Sequence, residues 1–84
     1  MTRRKSLVNT VADDLLDRII AGRFAPGDAL PTEAEIGAEF DVSRVTVREA
    51  LRTLSARGIV RVVSGVGSRV APVEEWSSVS DALR

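Results

Sequence analysis

Arg44, Arg48 and Arg52 recur at four-residue steps in the stretch after Ser43. On a helix that spacing sets guanidinium groups on adjoining turns. Each is a planar fork that fits the O6 and N7 of guanine, or a phosphate. At about 100° per residue Val45 falls on the same outward face as Arg48 and Arg52, with Arg44 beside it at the helix start. An exposed pair of β-branched methyls there suits a thymine methyl. Ser43 and Thr46 add hydroxyls, and the unpaired amides at the start of such a helix attract a phosphate. The chemistry this points to is recognition of a DNA duplex. The plainer alternative is a solvated helix face whose arginines pair with Glu49.

Composition removes most competing chemistries. The 84 residues contain no His and no Cys, so the usual general base, the commonest metal ligand and any thiolate site are absent. Catalysis would rest on carboxylates, Ser, Thr or Lys, and no inward carboxylate pair is apparent; the expectation is no enzyme, no cofactor and no metal. No apolar run approaches the ~20 residues of a membrane span, and Arg3, Arg4 and Lys5 lead into Asp13 and Asp14 rather than a signal segment. A cytoplasmic protein without membrane contact is expected. The formal net charge of 0 conceals a division: residues 1–10 carry +3, 11–42 carry −6, 43–70 carry +5 and 71–84 carry −2. A basic centre beside an acidic first third can present one positive face while the whole stays neutral.

The length fits one small domain, and hydrophobic periodicity supplies its elements. Val8, Val11, Ala12, Leu15, Leu16, Ile19 and Ile20 form one stripe of a first helix over residues 8–21, stopped near Gly22 and the Pro26-Gly27 turn. Thr32 followed by Glu35 is a capping box opening a short second helix from Glu33 to residue 39 or 40. Gly37 inside it is either demanded by packing or a weakness. Ser43 caps a third helix, residues 44–57, whose core stripe is Val47, Ala50, Leu51 and Leu54 and which Gly58 closes. Residues 59–63 and 68–71 then form a hairpin around Ser64, Gly65, Val66 and Gly67. That glycine pair opens no helix, so it is a wing tip rather than a nucleotide loop.

Three helices followed by a hairpin make a winged helix-turn-helix, mainly α with a small β-hairpin, in which the third helix enters the major groove. The expected contact set is Thr32, Ser43, Arg44, Val45, Thr46, Arg48 and Arg52, with Ser64, Gly65 and Arg69 on the minor groove or backbone. The domain is expected over 7–71, preceded by a flexible basic arm, 1–6, that adds sequence-independent affinity. Residues 72–84 show only a weak helical pattern and read as a linker or tail, in which Trp76 and Leu83 have little to bury against.

Ile20-Ala21-Gly22-Arg23-Phe24, Pro26-Gly27, Leu30-Pro31-Thr32-Glu33, Phe40-Asp41-Val42-Ser43-Arg44 and Val47-Arg48-Glu49-Ala50-Leu51 strongly resemble the N-terminal domain of GntR-family bacterial transcriptional regulators. Trp76 resembles the junction of the FadR-like branch. The resemblance implies that Arg44 and Arg48 are recognition-helix arginines, Thr46 a polar DNA contact and Gly65 the wing-tip glycine. Ala34, where the family usually has Arg, implies one contact fewer; Gly37 and Asp41 depart from the usual Ala and Gly. The resemblance further implies a homodimeric parent on a short palindromic operator, with a small-molecule effector bound only by a C-terminal domain beyond Arg84. The competing class is a winged-helix module whose third helix docks on a protein, which a weak salt dependence would reveal.

Overall fold

Helix α1, Leu7–Ile20, starts where the Ser6 hydroxyl oxygen accepts the Asn9 amide at 3.1 Å, so Ser6 belongs to the fold and not to the arm. The computed structural model describes residues 6–63 and 67–76. Helix α2, Glu33–Phe40, opens with the expected reciprocal cap: Thr32 Oγ1 accepts the Glu35 amide at 3.1 Å and Glu35 Oε1 accepts the Thr32 amide at 2.8 Å. Asp41 ends it in the left-handed region, φ 56 and ψ 50, a conformation that a short polar side chain tolerates. Helix α3, Arg44–Ala56, begins three residues later under the Ser43 cap.

Val11, Ala12, Leu15 and Ile19 of α1 and Val47, Ala50, Leu51 and Leu54 of α3 meet in one core that Ile36 joins from α2. Gly37 is buried where the turn after α2 passes close. A Cβ there would stand 3.0 Å from the Val42 carbonyl oxygen and 3.7 Å from Val47 Cγ2. Packing therefore accounts for this glycine. A second tie crosses from α1 to α2. Arg18 pairs with Asp14 at 2.8 Å, binds both Glu39 carboxylate oxygens, and lies 5.3 Å over the Phe40 ring.

The hairpin consists of β1, Val60–Val63, and β2, Gly67–Val70, antiparallel with Arg61 opposite Arg69 and Val62 opposite Ser68. Against the sequence expectation β1 begins one residue later and β2 lies one residue earlier at both ends. The segment after the Pro26-Gly27 turn adds a short third rung. Leu30 N donates to Ser68 O at 2.9 Å and Val70 N to Asp28 O at 3.0 Å, with Ala29 bridged to Arg69. The β2 strand therefore has backbone partners along both edges.

The expectation of an unsupported tail from residue 72 is corrected at its start. After Pro72 the chain makes one 3-10 turn, Val73–Glu75, and Trp76 is only 7% exposed within the same core, its indole Nε1 donating to the Ala71 carbonyl at 2.9 Å. Gly58 makes this possible. It ends α3 at φ 75, with Gly58 N bonded to Ser55 O and Ile59 N to Leu54 O. A Cβ on it would fall 1.8 Å from the Glu75 carbonyl oxygen. The spacing pattern did not reveal this burial, because the passage of the 3-10 turn against Gly58 depends on a missing side chain. Residues 77–84, including Leu83, lie outside the described residues, as do residues 1–5 of the arm.

Candidate nucleic-acid interface

Packing of Val47, Ala50, Leu51 and Leu54 inward fixes what α3 turns outward. Arg44, Val45, Arg48, Glu49 and Arg52 are all exposed, Val45 by 68%. Burial thus reproduces the helical arithmetic for every residue on that face. Ser43 is spent locally, since its hydroxyl oxygen accepts the Thr46 amide at 3.2 Å and lies 3.2 Å from the half-buried Thr46 hydroxyl. Thr32 likewise serves its capping box, and its residue is exposed.

The three arginines are not equivalent. The side chains of Arg44 and Arg52 have no hydrogen bond or ion pair to any described residue, and the suggested pairing with Glu49 is absent among them. Arg48 instead faces α2. Its Nε donates to Glu33 Oε2 at 3.2 Å and its Nη2 to Glu33 Oε1 at 3.1 Å, a side-on bidentate pair joining the first residue of α2 to the second turn of α3. The Arg48 side chain is 55% exposed and that of Glu33 30%. Hydrogen bonding from Arg48 holds the Glu33 carboxyl below its ordinary range, with smaller help from the charges of Arg48 and Arg44 and opposition from partial desolvation. The same bonds push the Arg48 guanidinium higher still.

The hairpin carries a second set. Arg61 and Arg69 lie directly across from one another, an arrangement that is repulsive unless each finds an acceptor. Arg61 pairs with the Glu75 carboxylate and Arg69 Nη1 donates to the Gly27 carbonyl at 3.0 Å. Arg69, expected to turn toward a nucleic-acid backbone, is thus engaged with the turn before the third rung. Ser64 and Gly65 lie outside the described residues. Glu33 and Arg61 are the participants that the sequence reading missed; no local spacing rule joins residues 15 or 14 positions from their partners. Among the described residues no cluster of ligating side chains could hold a metal, and no helix is long and apolar enough to cross a membrane.

Comparison with known proteins agrees with this geometry. Residues 7–70 match the family described as bacterial regulatory proteins, gntR family. The uncharacterized HTH-type transcriptional regulator YieP of Escherichia coli K12 is 40% identical over 83 residues, 99% of this chain and 36% of that protein. The mannosyl-D-glycerate transport/metabolism system repressor MngR of the same organism is 47% identical over 66 residues, 79% and 28% of the two chains. The DNA-binding domain of AraR, solved in complex with operator ORE1, superposes with a TM-score of 0.79 at 32% identity, covering 81% of this chain and 83% of that one. The chain therefore spans about a third of the length of these curated relatives.

Proposed function

The chain belongs to the gntR family of bacterial regulatory proteins, and from that premise we propose how it engages DNA: α3 lies in the major groove and the hairpin reaches the minor groove or the backbone. The outward face of α3 carries this reading, with Arg44, Arg48 and Arg52 exposed around Val45. Arg44 and Arg48 present forks to guanine, Val45 meets a thymine methyl, and Arg52, Ser43, Thr46 and Thr32 line the backbone. Ser64 and Gly65, outside the described residues, are assigned to contact the minor groove or backbone, and Arg69 supports the hairpin. Residues 1–5 add sequence-independent affinity.

The whole protein is, in this reading, a metabolite-responsive cytoplasmic regulator and no enzyme. Two copies occupy a short palindrome through dimerisation supplied outside this domain, where the effector also binds. Assignment to the FadR-like branch rests on Trp76 alone, and an all-helical domain following this one in the full-length protein would bear it out. The DNA-binding proposal is tested by selecting bound sequences from a random duplex pool. Enrichment of a palindromic motif with affinity falling steeply as salt rises is expected. No enrichment, with binding to protein partners insensitive to salt, would overturn it.

A further inference from the structure

Arg48 enters the outward face of α3 already held by a carboxylate, whereas Arg44 and Arg52 do not. The geometry of the pair decides what remains of the fork. Glu33 takes the side edge, using the Nε hydrogen and one Nη2 hydrogen. The end edge, made of the second Nη2 hydrogen and one of the two on Nη1, stays available. A guanine presents O6 and N7 at a spacing that this end edge fits. The two bidentate contacts are therefore compatible on one guanidinium. With the side edge fixed to α2, the plane of the end edge is set before any duplex arrives, so little freedom of the long side chain is lost on docking.

We propose that Glu33 is a positioning residue for base discrimination, clamping the Arg48 fork in the plane that reads a guanine and opposing its use as a general phosphate contact. This rests on the DNA-binding reading above. The carboxylate is costly for mere affinity. A negative charge beside a polyanion weakens binding to every sequence, and an unclamped Arg48 would swing to the nearest phosphate. Glu33 thus exchanges affinity for selectivity, with α2 acting as a rigid mount.

The test is sequence selection and equilibrium binding with the unaltered chain, Glu33→Gln, Arg48→Lys and the double variant, each checked for folding by thermal unfolding. In Glu33→Gln, preference for guanine at one position of each half-site should fall at least about fivefold, while affinity for unrelated duplex stays equal or rises and the other positions keep their preference. Arg48→Lys, which keeps charge but loses the fork, should relax the same position. The double variant should add little to either, the mark of a coupled pair. Unchanged preference at every position in Glu33→Gln would overturn the proposal. So would relaxation at a position that Arg48→Lys leaves intact, since Glu33 would then read a base such as cytosine through its own carboxylate. Should Glu33→Gln fail to fold, Arg48→Lys in a Glu33→Asp background carries the same coupling test. A chain that selects no motif before any substitution would instead sink the DNA-binding reading.

Discussion

The α3 face and the hairpin both display exposed arginines, yet the two sets are wired differently. On α3, Arg44 and Arg52 are without acceptors among the described residues and Arg48 is held at one edge only. On the hairpin, Arg61 and Arg69 are each tied to a neighbouring segment, Glu75 after the sheet and Gly27 before it. The lesson is that arginine spacing alone does not mark a recognition surface. What distinguishes the two is whether the donors are already used by the fold.

The largest expected effect would come from breaking the anchor on the hairpin side. Trp76→Ala removes a side chain that is almost fully buried and should cost about 3–5 kcal/mol of stability, read by chemical unfolding. It should also release the 3-10 turn and with it the Glu75 partner of Arg61, so the hairpin would come to resemble the helix face in having a free cation. If stability is unchanged, the segment after Pro72 is not part of the domain. Arg44→Ala works on the other side of the comparison. It should weaken the preferred duplex by about 1–3 kcal/mol in titrations, with little change in unfolding. Equal loss on all sequences would make Arg44 a phosphate contact. Arg69→Ala sharpens the contrast in the opposite sense: a loss of about 0.5–1.5 kcal/mol in stability without any change in the selected motif. A changed motif would move Arg69 to the reading surface.

The smallest effect concerns pH. Glu33 and Glu39 are held below the ordinary carboxylate value, chiefly by hydrogen bonds from Arg48 and Arg18. A carboxylate with a lowered folded pKa stabilises above its unfolded value and loses that contribution as pH falls through the folded value. Unfolding midpoints should therefore be level above about pH 5 and decline below 4.5, and side-chain carboxyl titration by NMR should place both groups below their ordinary range. The Arg69 link to a backbone carbonyl has no titrating acceptor. With no His or Cys in the chain, no side chain of ordinary pKa changes charge between pH 6 and 8, so base preference should be flat there.

Much of this was legible in the residues because it is local. Thr32 with Glu35, Ser43 before α3, and the stripe of Val47, Ala50, Leu51 and Leu54 are set by spacings of three and four, which a helix converts directly into neighbours. The placement of Val45 and Arg48 on the outside followed from the same arithmetic. What was not legible depended on docking. Arg48 chose Glu33 of the preceding helix over its sequence neighbour Glu49, Arg69 chose a carbonyl 42 residues away, and the turn leading to Trp76 passes Gly58 where a Cβ would fall 1.8 Å from the Glu75 carbonyl oxygen. Each of these is decided by how elements meet, and no periodicity encodes that.

The third rung has a bearing on how copies of this domain behave when crowded together. Because residues 28–30 close the outer side of β2, the described sheet offers a newcomer only the far side of β1, four residues long with Arg61 in its run. Exposed strand borders recruit foreign strands when they are long, flat and apolar. This one is short and charged, so copies of the domain crowded together have no easy route to stray strand exchange.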